Sequence, residues 1–338
     1  MSTLASTFKA LRVQEHQDAD ALRYSCAVVE RALEELSAGD VLIKVHYSSV
    51  NYKDALSASG NKGVTRNYPH TPGIDAAGVV VRSNTASVSV GQSVIVTGYD
   101  LGMNTSGGFA EFIAVPASWV VPLPAGMSLF ESMVLGTAGL TAALCVEKLL
   151  LNGLEPDQGE VLVTGATGGV GSIAVALLTE LGFAVTACTG KADSHAMLEQ
   201  LGAQSIITRD ALQDQGTRPL LKERWAGAVD VVGGEMLWNV MKALRYGGSV
   251  ACCGLVGSPK IEATVFPFIL RSVNLLGVDS VMVPLAHKTA LWTRLANEWK
   301  LEQLQDVAKI ISLNELEQGL QALLHGRGKG RLVLELGR

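Results

Sequence analysis

Between Leu42 and Val115 the apolar positions fall into short runs: Leu42 to Val45, Val79 to Val81, Val94 to Thr97 and Phe109 to Val115. Gly and Ser separate them, and runs of this length between turn residues predict strands. Residues 57–75, with Gly60, Gly63, Pro69, Pro72 and Gly73, read as a loop, and Pro116, Pro122 and Pro124 punctuate the end of the segment. No long helix is expected here, so about the first 125 residues predict a β-leaning domain.

Beyond Val161 the pattern becomes an alternation. Strands are predicted at Val161 to Thr164, Ala184 to Cys188, Ser205 to Thr208, Val229 to Val232, Ser249 to Cys253 and Leu275 to Val278. Helices are predicted at Gly169 to Leu181, Ser194 to Leu201 and Met236 to Leu244. Continuous apolar strands alternating with helices imply a parallel sheet covered on both faces. Six strands in this rhythm suit a doubly wound dinucleotide fold. Helical stretches near 286–299 and 315–325 and a last strand, Arg331 to Leu336, follow.

The stretch Val161-Leu162-Val163-Thr164-Gly165-Ala166-Thr167-Gly168-Gly169-Val170-Gly171 carries a strand into a glycine turn that opens a helix. Glycines let backbone N–H groups approach a pyrophosphate, and the helix N-terminus adds partial positive charge. NAD binders place an acidic residue about 20 residues further on, against the ribose 2′-hydroxyl. Here that position is Lys191, within Thr189-Gly190-Lys191, and Arg209 ends the next strand. Cations beside small polar residues suit a 2′-phosphate, hence NADPH. Asp193 is the acidic alternative, but Asp193-Ser194 reads as a helix start.

Composition narrows the class. Of 338 residues, 48% are hydrophobic and 17% charged, which excludes disorder and fits two domains. A net charge of −5 argues against a nucleic-acid partner. The cysteines Cys26, Cys145, Cys188, Cys252 and Cys253 are odd in number, with no Cys-x-x-Cys. Neither a disulfide framework nor a Cys-rich zinc site is expected, and a cytoplasmic location fits. Met1 to Ala10 has no basic start before an apolar run, so no signal peptide is expected. The longest apolar uncharged stretch, Val161 to Thr179, contains four glycines and reads as strand, turn and helix, so no membrane partner is expected.

With this turn behind a β-rich N-terminal segment, the chain resembles the medium-chain dehydrogenase/reductase superfamily along essentially its whole length. Asn51-Tyr52-Lys53-Asp54, Pro72-Gly73-Ile74-Asp75-Ala76-Ala77-Gly78 and the glycine turn are similar to the zinc-free quinone-reductase branch. Pro267-Phe268-Ile269-Leu270-Arg271 and Gly277-Val278-Asp279-Ser280-Val281 resemble NADPH-dependent acrylyl-coenzyme A reductases more closely. The resemblance implies an α/β fold: a β-rich GroES-like catalytic domain (1–126 and 284–338) and a doubly wound Rossmann NADPH domain (127–283). It also implies a homodimer, for which the apolar strand Asn274 to Val278 could extend a sheet across an edge. Zinc-dependent relatives carry Cys near position 51 and Gly-His-Glu where this chain has Gly73-Ile74-Asp75. Asn51 and Ile74 supply neither thiolate nor imidazole, so no metal is expected. Hydride delivery without a Lewis acid then needs an already activated acceptor, an α,β-unsaturated acyl-CoA thioester or a quinone.

For the cofactor, the resemblance implies Thr167, Gly168, Gly169 and Val170 around the pyrophosphate, and Thr189, Gly190, Lys191 and Arg209 at the 2′-phosphate end. Leu255, Ile269, Ser280 and Arg327 would line the remainder, with Tyr52 against the nicotinamide. Tyr52 reads as a proton donor or as a residue shaping the pocket while water donates. Asn51, Asp54 and Asp75 resemble active-site positions of the family, and the two carboxylates read equally as loop-fixing acceptors. Lys53, Lys62 and Arg66 surround the Gly60–Gly63 loop, either attracting coenzyme A phosphates or solvated. The isolated histidines and Cys252-Cys253 suggest no chemistry beyond packing.

Overall fold

The computed structural model describes residues 6–17, 22–36, 39–214, 216, 218–301, 304 and 308–337. The chain opens with β1 (Thr7–Gln17) and β2 (Leu22–Ala32), an antiparallel pair in register from Thr7↔Ala32 to Gln17↔Leu22. Then come β3 (Val41–Ser49), α1 (Tyr52–Ala58), β4 (Asp75–Ser83), β5 (Ser93–Thr97), β6 (Phe112–Val115), β7 (Val121–Pro122) and α2 (Leu129–Leu151). Next is the alternating segment: β8 (Val161–Val163), α3 (Gly169–Glu180), β9 (Val185–Cys188), α4 (His195–Gln200), β10 (Ser205–Ile207), β11 (Trp225–Asp230), α5 (Gly234–Lys242), β12 (Leu244–Cys252), α6 (Phe266–Arg271) and β13 (Asn274–Gly277). The chain closes with α7 (Leu285–Ala296), β14 (Ala308–Ile311), α8 (Leu316–Leu324) and β15 (Arg331–Glu335).

Two compact units result. One comprises Met1–Thr137, Val281–Ala296 and Gln305–Arg338; the other comprises Ala138–Ser280 and Asn297–Leu304. The first is built on the sheet β14-β15-β3-β4-β5-β7, with β6 also paired to β3. Its core gathers the inward residues of those strands, among them Val41, Ile43, Val45, Val80, Val94, Val96 and Leu334, with Leu316 and Leu320 of α8. The second holds a six-stranded sheet in the order β10-β9-β8-β11-β12-β13, parallel throughout. Numbered within that unit this is 3-2-1-4-5-6, the doubly wound order, which places ligands at the carboxyl ends of the strands.

The β-rich first segment holds more than short strands. The β1–β2 hairpin has 11 residues a side, and the segment read as loop from residue 57 overlaps α1. The helix α2, absent from the periodicity reading, is the longest in the structure among the described residues. It is apolar on nearly every side and most of it is buried, so no amphipathic period marks it. The predicted strands at 229–232 and 249–253 begin earlier, at Trp225 and Leu244.

Candidate active site

Asn51 precedes α1 and Tyr52 is its first residue. The Asn51 side chain bridges two charged groups: Nδ2 donates to Asp75 Oδ2 at 2.8 Å, and Oδ1 accepts from Arg331 Nη1 at 3.4 Å. Asp75 is fully buried and also accepts from the Ser49 hydroxyl, from the Thr137 N–H at 2.8 Å and from Thr137 Oγ1 at 2.5 Å. The kink in α2 creates the Thr137 contact. At Gly136 (φ 54°, ψ −155°) the backbone leaves helical geometry, and the next N–H turns to the carboxylate. Only glycine suits position 136, because a β-carbon there would lie 2.7 Å from Asp75 Oδ2 and 2.9 Å from Arg331 Nη2.

Asp54, equally buried, accepts from the N–H groups of Asn51 at 2.8 Å, Ile74 at 2.9 Å and Gly73 at 3.1 Å. It ties the 73–74 turn to the start of α1. Burial, reinforced by the charge of Asp75, pushes the Asp54 carboxyl up to about 7 despite those three donors. Arg331 opens β15, donates from Nε to the Val134 carbonyl at 2.8 Å and leaves Nη2 without a hydrogen bond. Burial pulls the Arg331 guanidinium pKa down, and Asp75 and Asp54 hold it up. Both carboxylates therefore fix the chain around Tyr52, a residue 42% exposed.

Ser49, Gly136, Thr137 and Arg331 complete this network without having been singled out in the sequence. A signal for Arg331 was present: strand alternation puts it on the face of Val333, and both side chains are buried.

In the other unit, the strand ends gather the predicted nucleotide residues. Gly165 has φ 57°, and a β-carbon on Gly171 would strike its carbonyl, so the turn and α3 approach closely only as glycines. Thr167, Gly168, Gly169 and Val170 lie at the N-terminus of α3, whose first-turn N–H groups have no helical acceptor. Thr189 follows β9; its N–H donates to the Ile207 carbonyl at 3.0 Å and its Oγ1 accepts from the Lys191 N–H at 3.1 Å. The Thr167 and Thr189 hydroxyls are 3.4 Å apart. Arg209, just past β10, lays its guanidinium over Gly190. Asp193 sits in a 3₁₀ turn, Ala192–Ser194, and accepts from the Ser194 hydroxyl at 3.2 Å.

Comparison with known proteins places this geometry. Residues 37–125 match the alcohol dehydrogenase GroES-like domain, and residues 169–295 match the zinc-binding dehydrogenase domain. The chain is 44% identical to the acrylyl-CoA reductase AcuI of Ruegeria pomeroyi over 97% of its own length and 99% of that protein's. It is 45% identical to Bacillus subtilis YhfP, which carries a quinone-oxidoreductase name, over 99% of this chain and 100% of YhfP. The solved structure of YhfP has NAD bound and superposes with a TM-score of 0.94, covering 98% of this chain and 100% of YhfP. The YhdH oxidoreductase of Salmonella enterica, solved in complex with NADP, gives a TM-score of 0.93 at 43% identity, covering 97% of this chain and 100% of its own. The chain is an oxidoreductase of the medium-chain dehydrogenase/reductase family, on its quinone-reductase branch.

Within that family the glycine turn, the half-buried N-terminus of α3 and the Arg209–Gly190 contact fit a dinucleotide with a phosphorylated ribose: amide donors for the pyrophosphate and cations for a 2′-phosphate. At the two family zinc positions stand an amide already engaged by Asp75 and Arg331, and the buried alkyl side chain of Ile74. Neither is a competent zinc ligand.

The remaining cofactor candidates are more dispersed. Leu255 follows β12 and is 62% exposed; Ile269, on α6, is 68% exposed. Ser280 accepts from the Thr141 hydroxyl at 2.8 Å. Arg327 lies beyond α8, where its N–H donates to the Ala322 carbonyl at 2.8 Å. Of the loop cations, Lys62 is paired with Glu15, lies 4.7 Å from the Tyr68 ring centroid and donates to the Arg66 carbonyl at 3.4 Å. Cys252 and Cys253 are half-buried rather than fully buried.

Proposed function

We propose that this protein is an NADPH-dependent reductase of the carbon–carbon double bond of a short enoyl thioester, converting acrylyl-CoA to propionyl-CoA. The observation that carries this reading is the donor set at the family's metal position. With Asn51 committed to Asp75 and Arg331 and Ile74 lacking a donor atom, polarisation of an unactivated alcohol or ketone by zinc has no support, and the acceptor must bring its own activation. A thioester conjugated to a double bond does so. The 44% identity to an acrylyl-CoA reductase adds weight.

NADPH, when bound, supplies a hydride to the β-carbon of the substrate. Thr167, Gly168, Gly169 and Val170 are the proposed pyrophosphate cradle. Thr189, Gly190, Lys191 and Arg209 are the proposed 2′-phosphate site. Leu255, Ile269, Ser280 and Arg327 are proposed to complete it. Tyr52 is the proposed acid for the α-carbon: its phenol makes no hydrogen bond among the described residues and is open to solvent. Asn51, Asp54 and Asp75 act in this reading by fixing the loop that presents Tyr52, with Arg331 balancing the buried charge.

A homodimer is also proposed. The strand β13 lies at an edge of its sheet, and Leu275 on it is 37% exposed, a combination that invites pairing with a second copy. The five free cysteines fit the reducing cytoplasm.

The test is NADPH oxidation with acrylyl-CoA, crotonyl-CoA and a small quinone. Preference for acrylyl-CoA is expected. Turnover of the quinone alone would favour the reading suggested by the name of YhfP. Binding of NADPH with no turnover of any acceptor would mark a nucleotide-binding protein without this catalysis.

A further inference from the structure

Where the parallel ladder of the nucleotide-binding sheet stops, a side-chain pair continues it. The ladder between β8 and β11 ends at Val163↔Val229. The next residues on the two sides, Thr164 and Asp230, are both fully buried. Thr164 Oγ1 donates to Asp230 Oδ1 at 2.7 Å and accepts from the Val231 N–H at 3.1 Å. Asp230 Oδ2 accepts from the N–H groups of Gly233 at 2.7 Å and Val232 at 3.3 Å. The Asp230 carbonyl accepts from the Cys253 N–H at 3.0 Å, and the Val232 carbonyl from Gly257 at 2.8 Å. One buried pair thus joins the ends of β8 and β11 and, through the backbone, the loop after β12. Those ends carry the glycine turn at 165–168 and Leu255.

Asp230 has no cation within ion-pairing distance among the described residues, and burial pushes its carboxyl upward. This buried pair also serves as acceptor for the Val231, Val232 and Gly233 N–H groups, so an apolar pair of the same shape would strand all three donors. Its use is geometric, since directional bonds fix the spacing of strand ends where apolar contacts would let them slide.

We infer that Thr164 and Asp230 are positioning residues for the cofactor: without touching it, they hold the glycine turn and the loop after β12 at the separation that dinucleotide binding requires. The inference rests on the cofactor site proposed above.

The test compares NADPH affinity, followed by ligand fluorescence, with thermal stability in T164S, T164V and D230N. T164S should bind within threefold of wild type, because the hydroxyl is kept. T164V and D230N should bind about 10- to 100-fold more weakly. T164V should also melt below wild type, because the Val231 N–H loses its acceptor, whereas T164S should melt near it. Wild-type affinity in a folded T164V or D230N overturns the inference, as does failure of both to fold, since the bond would then be holding up the domain rather than the site. A wild-type protein that does not bind NADPH removes the cofactor reading itself, a result distinct from either.

Discussion

The guanidinium of Arg209 covers the α-carbon of Gly190: a β-carbon built there would stand 3.0 Å from Arg209 Nε and 3.2 Å from Cζ. Adjacent parallel strands, β9 and β10, bring these two residues together. Arg209→Ala and Lys191→Ala should each weaken NADPH binding by about 10- to 150-fold, the value of one charge-assisted contact of ~1.5–3 kcal/mol. NADH binding should hardly change. Titration of both cofactors checks this, and equal affinities of the wild type for the two would refute the 2′-phosphate site.

Tyr52→Phe removes the phenol of the most exposed residue in the Asn51–Asp54 segment. If the phenol donates the α-proton, kcat should fall by about 10²–10⁴-fold with NADPH affinity nearly unchanged. A loss below tenfold returns Tyr52 to a packing role, with water as donor.

Asp54 gives stability a pH dependence of defined sign. Its folded-state pKa of about 7 lies above the ordinary aspartate value of 3.8, so the folded state binds the proton more tightly than the unfolded chain does. Its contribution is favourable when protonated and is lost as pH rises from about 4 through 7. Urea midpoints should decline across that window. Asp54→Asn should flatten the decline, while losing about 1–3 kcal/mol because the Asn51 N–H gives up its carboxylate acceptor.

Chelation separates this chain from metal-dependent members of its family. Activity should survive prolonged treatment with a strong zinc chelator, because Asn51 and Ile74 cannot hold the ion. Loss of activity that returns on adding zinc would contradict the proposed chemistry.

Light scattering at micromolar concentration should give the mass of a dimer. Leu275→Lys, which places a charge on the exposed edge of β13, should shift the population toward monomer. A monomeric wild type would remove the proposed interface.

Much of the second unit was legible in the chain itself. Continuous apolar strands, regular helices and the turn from Gly165 to Gly171 are local properties, because strand period, helix capping and glycine geometry depend on neighbours a few residues away. The strand at 161, the helix at 169 and the positions of Thr189, Gly190 and Lys191 follow from them. The buried helix α2 did not, because an element apolar on nearly every side carries no period to read.

The network around Tyr52 was decided only by the tertiary structure. Asp75 and Arg331 are 256 residues apart in number, yet both meet the amide of Asn51. Nothing local to Arg331 announces a partner in β4, and nothing local to Gly136 announces that its missing side chain leaves space between them. The same holds for Thr164 and Asp230: each ends a predictable strand, but their hydrogen bond depends on which strands become neighbours. The chain alone determined which residue types stand at each turn. Long-range pairing determined which of them share a buried, low-dielectric site, and burial is what turns an ordinary carboxylate such as Asp54 into one titrating at about 7.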